Sequence, residues 1–134
     1  SCSPATGISA PGVTVYRTTF DLSFPQDADI PLSFEFSLTN GTESVNNRYR
    51  SLLFVNGWQF GRFISSLGPQ TSYPVPEGIL NHHGSNEVLI TLWALDEGGA
   101  KFDKLELKKR GTLASSKKAD IVSVEAPGWA ELRG

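Results

Sequence analysis

Apolar and polar positions alternate with a period of two through much of this chain. Leu32, Phe34, Phe36 and Leu38 alternate with Ser33, Glu35 and Ser37. Successive side chains of an extended strand point to opposite faces, so this is the pattern of a half-buried antiparallel strand. Phe20, Leu22 and Phe24 alternate with Asp21 and Ser23 in the same way. They lie in the Val- and Thr-rich stretch 13–24, whose β-branched residues suit a pleated surface. Leu53, Phe54 and Val55 precede Asn56-Gly57, and Trp58, Phe60 and Phe63 come after it. Asn and Gly tolerate the positive φ of a type I′ turn, so this stretch predicts a tight hairpin. In residues 86–95, Leu89, Thr91, Trp93 and Leu95 share one face and Val88, Ile90, Leu92 and Ala94 the other. Few polar residues interrupt the run, which predicts a strand covered on both sides. Leu105 and Leu107 predict a further inward-facing pair, and Ile121, Val122 and Val124 a last short strand.

The intervening segments exclude long helices. Pro69, Pro74 and Pro76 interrupt 64–77, and each removes a backbone donor and clashes with a preceding turn. Residues 78–84 have room for one helical turn, while 25–31 and 112–120 read as polar loops. Six to eight short strands with Gly and Pro at the turns predict an all-β fold, a jelly-roll β-sandwich. A chain of 134 residues fits one domain that buries roughly two thirds of its unfolded surface. We expect an arm at 1–12, the sandwich at 13–125 and a tail at 126–134.

Composition narrows the function classes. The net charge of −2 and the lack of a basic block argue against nucleic acid as a partner, because phosphate binding needs clustered Lys and Arg. No apolar run approaches the roughly 20 residues that span a bilayer, so no membrane partner is expected. Cys2 is the one cysteine; it reads as a terminal thiol, or as half of a bridge to a segment outside this stretch. Asn40-Gly41-Thr42 is a glycosylation sequon, which predicts a secreted, extracellular glycoprotein. The chain opens on Ser1 and contains no Met, which predicts a processed protein or a piece of a longer one.

Candidate chemistry is thin. A glycosidase needs two carboxyl groups held at a set separation across a sugar. Asp21, Glu35, Glu77, Asp96, Glu97, Asp103 and Glu106 are available, but they fall in turns or on solvent-facing strand positions. No catalytic residue is expected. His82-His83 lacks further ligands at useful spacing, so neither a metal site nor any cofactor is expected. Sugar binding is better served. A sugar offers a C–H face to an aromatic ring and hydroxyls to planar amide, carboxylate or guanidinium groups. The candidate sugar-binding residues are Trp58, Gln59 and Arg62 beside the hairpin turn, with Tyr73, Asn81, His82 and His83 in loops.

Several stretches resemble a known family. Tyr16-Arg-Thr-Thr-Phe-Asp-Leu22, Pro31-Leu-Ser-Phe34, Leu53-Phe-Val-Asn-Gly-Trp-Gln-Phe-Gly61, the segment Gly68 to Leu80 and Leu92-Trp-Ala-Leu95 carry the resemblance. They are similar to the C-terminal jelly-roll domain of fungal β-galactosidases of glycoside hydrolase family thirty-five. The similarity runs from about Thr6 to Leu107, and the polar extension after about Lys108 departs from the pattern. Since the catalytic carboxylates of that family belong to a separate barrel, the resemblance implies a non-catalytic accessory domain with a galactose-binding-like fold. A carbohydrate partner containing galactose, or a glycosidase catalytic domain, is then expected. The chain is expected to be part of such an enzyme or a free-standing, lectin-like relative.

Overall fold

The computed structural model describes residues 3–38, 47–68, 70–114 and 128. Among them nine strands and no α-helix form. The strands are β1 (Gly12–Asp21), β2 (Ala28–Asp29), β3 (Leu32–Ser37), β4 (Tyr49–Val55), β5 (Trp58–Ile64), β6 (Ser72–Pro74), β7 (Ser85–Ala94), β8 (Lys104–Lys109) and β9 (Leu113–Ala114). A large antiparallel sheet has the order β1-β7-β4-β5, and a small one the order β6-β3-β8; β2 and β9 pair separately. The two main sheets pack face to face as the expected β-sandwich. Phe36 of β3 stacks on Phe63 of β5 with ring centroids 4.1 Å apart, and Tyr49, Tyr73 and Phe102 close around them. Aromatic rings of this size each bury a large apolar area, which stabilises the sandwich.

The hairpin turn forms as predicted, with φ of 49° at Asn56 and 85° at Gly57, the double positive φ of a type I′ turn. The strand leaving the turn breaks the simple alternation. Leu53 pairs with Gly61 but Phe54 pairs with Gln59, so Phe60 is the extra residue of a β-bulge. The bulge lets Phe60 and Phe63, three positions apart, both pack into the interior. Gly61 is required there, because a Cβ would lie 2.9 Å from both the Leu53 Cδ1 and the Tyr73 Cδ1.

Other differences from the sequence-based expectations have local causes. Among the described residues, the strand at 86–95 is covered on one side only. Its inner residues Val88, Ile90, Leu92 and Ala94 are buried, while outward-facing Trp93 remains 46% exposed. No second layer from the described residues lies over it. Segments expected to be loops contain β2, β6 and β9, all too short to show a period; β6 ends in Pro74 on the sheet edge, where a missing N–H is tolerated. The expected arm is not free along its length: Ile8 bridges Ala100 through two backbone hydrogen bonds of 2.9 Å. A single 3-10 turn, Glu77–Ile79, supplies the helical turn. Cys2, the sequon asparagine Asn40, the strand expected at Ile121–Val124 and the tail with Trp129 lie outside the described residues.

Candidate functional site

The hairpin tip is held by an asparagine network. Asn86, fully buried at the start of β7, accepts through Oδ1 from the Asn81 backbone N–H (2.7 Å) and from Asn56 Nδ2 (2.9 Å). Its own Nδ2 donates to the carbonyls of Asn81 (2.8 Å) and Gly84 (3.2 Å). Asn56 in turn donates to the Ile79 carbonyl (2.7 Å) and accepts from the Glu87 N–H (2.9 Å). Turn, 3-10 segment and β7 are thus joined by two side chains whose polar groups are satisfied internally, as burial requires. Sequence reasoning misses both roles. The only local sign is an amide beginning an otherwise apolar strand.

The seven candidate sugar residues do not converge. Trp58 pairs with fully buried Val55, whereas Gln59 pairs with Phe54 and Arg62 with Leu52. Cross-strand partners share a face, so Trp58 lies on the core side of β5 and Gln59 and Arg62 on the outer side. Tyr73 is not in a loop; it is a buried core residue of β6 whose hydroxyl donates to the Arg62 carbonyl at 2.8 Å. Its surroundings explain why burial pushes its pKa above the ordinary tyrosine value. Asn81 accepts from the His83 N–H at 3.1 Å, which tightens the turn before β7. His82 lies half-buried, edge-on to Phe24 at 5.5 Å, with its Nε2 shielded from solvent and without a hydrogen-bond partner among the described residues. His83 is exposed.

The acids are similarly engaged. Asp96 receives the Arg48 Nε (2.7 Å) and backbone N–H (2.7 Å), and the side-chain bond holds its carboxyl below the usual aspartate range. Glu106 lies between Lys104 (2.9 Å) and Lys108 (3.3 Å) and is held low by them, Lys104 first. Glu77 goes the other way. A hydrogen bond that the protonated Glu77 donates to the neighbouring Asp29 carboxyl, then burial, then the Asp29 charge raise its pKa. Two carboxyls in hydrogen-bond contact are too close to straddle a sugar, which needs about 5 Å or more between them. Among the described residues no group of three or more His, Cys, Asp or Glu is arranged to hold a metal ion.

A sizeable cleft lies elsewhere, between the β1–β7 side of the large sheet and β8. It encloses about 370 Å³, and its lining includes Phe20, Phe34, Val88, Ile90, Leu105 and Leu107 together with Ser3 to Ala5. None of the seven candidates lines it, and its walls are mainly apolar, with Ser3, Thr18, Asp103 and Lys104 as the polar lining.

Fold and site together describe a β-sandwich module in which Asn56, Asn86, Asn81 and Tyr73 hydrogen-bond within the fold itself. Residues 1–98 match the model of the β-galactosidase second all-β domain, and the chain belongs to that family. It is 43% identical over all 134 residues to β-galactosidase A of a Penicillium species, and covers 13% of that protein. It is 52% identical over 107 residues, 80% of the chain, to a probable β-galactosidase A of Neosartorya fischeri, of which it covers 10%. Over all 134 residues it is 41% identical to β-galactosidase A of Aspergillus niger, again 13% of the relative. The chain thus spans about a tenth of the relatives it matches. The matching part is one accessory all-β domain of a much larger fungal protein, and this stretch by itself is non-catalytic. The resemblance therefore holds. The expected departure after Lys108 is corrected, because the Penicillium and Aspergillus niger relatives align through the last residue.

Proposed function

We propose that this domain acts as a packing module within a secreted β-galactosidase, stabilising the arrangement of the larger chain rather than binding substrate. The observation that carries the reading is the internal use of the candidate polar groups. Tyr73 is spent on Arg62, the Asn81 side chain on His83, and the hairpin tip on Asn86, while Trp58 and Arg62 lie on opposite faces of β5. The partner in this reading is the glycosidase catalytic domain or a neighbouring accessory domain. Secretion belongs to the same proposal and rests on the sequon at Asn40.

A galactoside-binding reading stands beside it on one observation: Trp58, Gln59, Asn81 and His83 each keep solvent-accessible surface near the hairpin end. Titration calorimetry with galactose and simple galactosides separates the two. The packing reading expects no saturable heat. Saturable binding that falls roughly ten- to a hundredfold on Trp58→Ala, with the fold intact, would establish the sugar site instead.

A further inference from the structure

The outer face of the large sheet is apolar where water should be. Val13 and Val15 of β1 are 63% and 56% exposed, and Trp93 of β7 lies directly across from Val13. Partly exposed Leu89 and Phe54 pair with each other across β7 and β4 on the same face. A solvated face of an antiparallel sheet ordinarily carries polar residues, and a contiguous exposed apolar patch marks an interaction surface. Two cations border the patch. The Arg50 guanidinium sits 5.2 Å from the Trp93 ring centroid, and Arg62 projects from β5. Among the described residues neither Arg50 nor Arg62 has a carboxylate in ion-pair reach, although Arg17, Arg48 and Arg110 each do.

We infer that this face docks onto another domain of the same β-galactosidase polypeptide, one that presents an apolar patch with carboxylates at its rim. The inference rests on the packing reading above and adds to it the surface and the chemistry of the partner. The occupant is identified by proportion and charge. About nine tenths of each matched relative lies outside this stretch, so a covalently linked partner is at hand at high effective concentration. An arginine stacked on an exposed tryptophan is the kind of anchor found at the centre of stable interfaces. Arg50 and Arg62 select for acidic rather than basic neighbours.

Hydroxyl-radical footprinting of the full-length enzyme, read residue by residue by mass spectrometry, tests this without any substitution. Each oxidation rate is normalised to that of the same residue in the denatured enzyme. Trp93, Val13 and Val15 should fall to roughly a tenth of the denatured rate, as for residues at an interface core, independently of enzyme concentration. Oxidation of Trp93 in proportion to its 46% exposure overturns the inference. Protection that appears only as concentration rises assigns the face to a second copy and overturns it as well. Leu67, in the turn after β5, and Leu113 of β9 are exposed outside the strands of the large sheet and separate packing in general from docking of this face. If they are protected and Trp93 is not, packing occurs through another surface; if no exposed apolar position is protected, the packing reading falls too.

Discussion

The outer faces of the two sheets obey different rules. On the small sheet, Ser33 and Ser72 both donate to Glu35 Oε1, at 2.6 and 2.7 Å, and Arg110 donates to Ser72 at 2.7 Å. Lys104, Glu106 and Lys108 continue the same face along β8. Each of these groups has a partner, and the surface is finished toward water. On the large sheet, Val13, Val15 and Trp93 interrupt the polar alternation, and Arg50 and Arg62 beside them are not ion-paired among the described residues. The same strand geometry thus supports one face whose polar groups are paired and one that, among the described residues, leaves apolar side chains exposed beside unpaired cations.

The largest expected effect falls on the finished face. Glu35→Ala leaves the fully buried Ser33 hydroxyl without its acceptor, and the domain should lose about 1–3 kcal/mol in chemical denaturation. On the open face, Trp93→Ala removes a half-exposed ring and its cation contact, and should cost about 1 kcal/mol. Val15→Thr, an exposed β-branched swap, should stay within about 0.5 kcal/mol. If the order reverses, the open face is a structural part of this domain and the contrast fails.

The smallest effect is in the pH dependence of stability. Hydrogen bonds from Ser33 and then Ser72 hold the Glu35 carboxyl below its ordinary value, helped by Arg110 and Lys108. A lowered folded-state pKa contributes stability that is present above the unfolded value and lost as pH falls through the folded one. Glu77, raised by Asp29, does the reverse: its contribution is present below the unfolded value and lost as pH rises through the raised one. Unfolding scans across the acid range should therefore show a shallower acid limb for Glu35→Gln. For Glu77→Gln they should show a smaller decline as pH rises above the carboxylate range.

The hairpin, β3 and the inner face of β7 are legible in the sequence because local chemistry decides them. Asn56-Gly57 sets a turn, and strict alternation sets a face. The bulge at Phe60, the β2–β9 pair and the Asn86 network are not, since each depends on a partner distant in the chain. Tyr73 is misplaced by sequence for the same reason: only its pairing with Phe34 puts it in the core. The error at β7 is instructive. Apolar residues on both faces of 86–95 imply cover on both sides, and the described residues supply it on one.

Reconstitution tests the central claim most directly. The 134-residue chain is titrated by calorimetry into a β-galactosidase from which the corresponding domain has been removed. The account predicts saturable association that is abolished by Val15→Asp with Trp93→Asp and left unchanged by Ser37→Asp on the opposite sheet. Association that is lost with Ser37→Asp and survives the Val15 and Trp93 changes would contradict it.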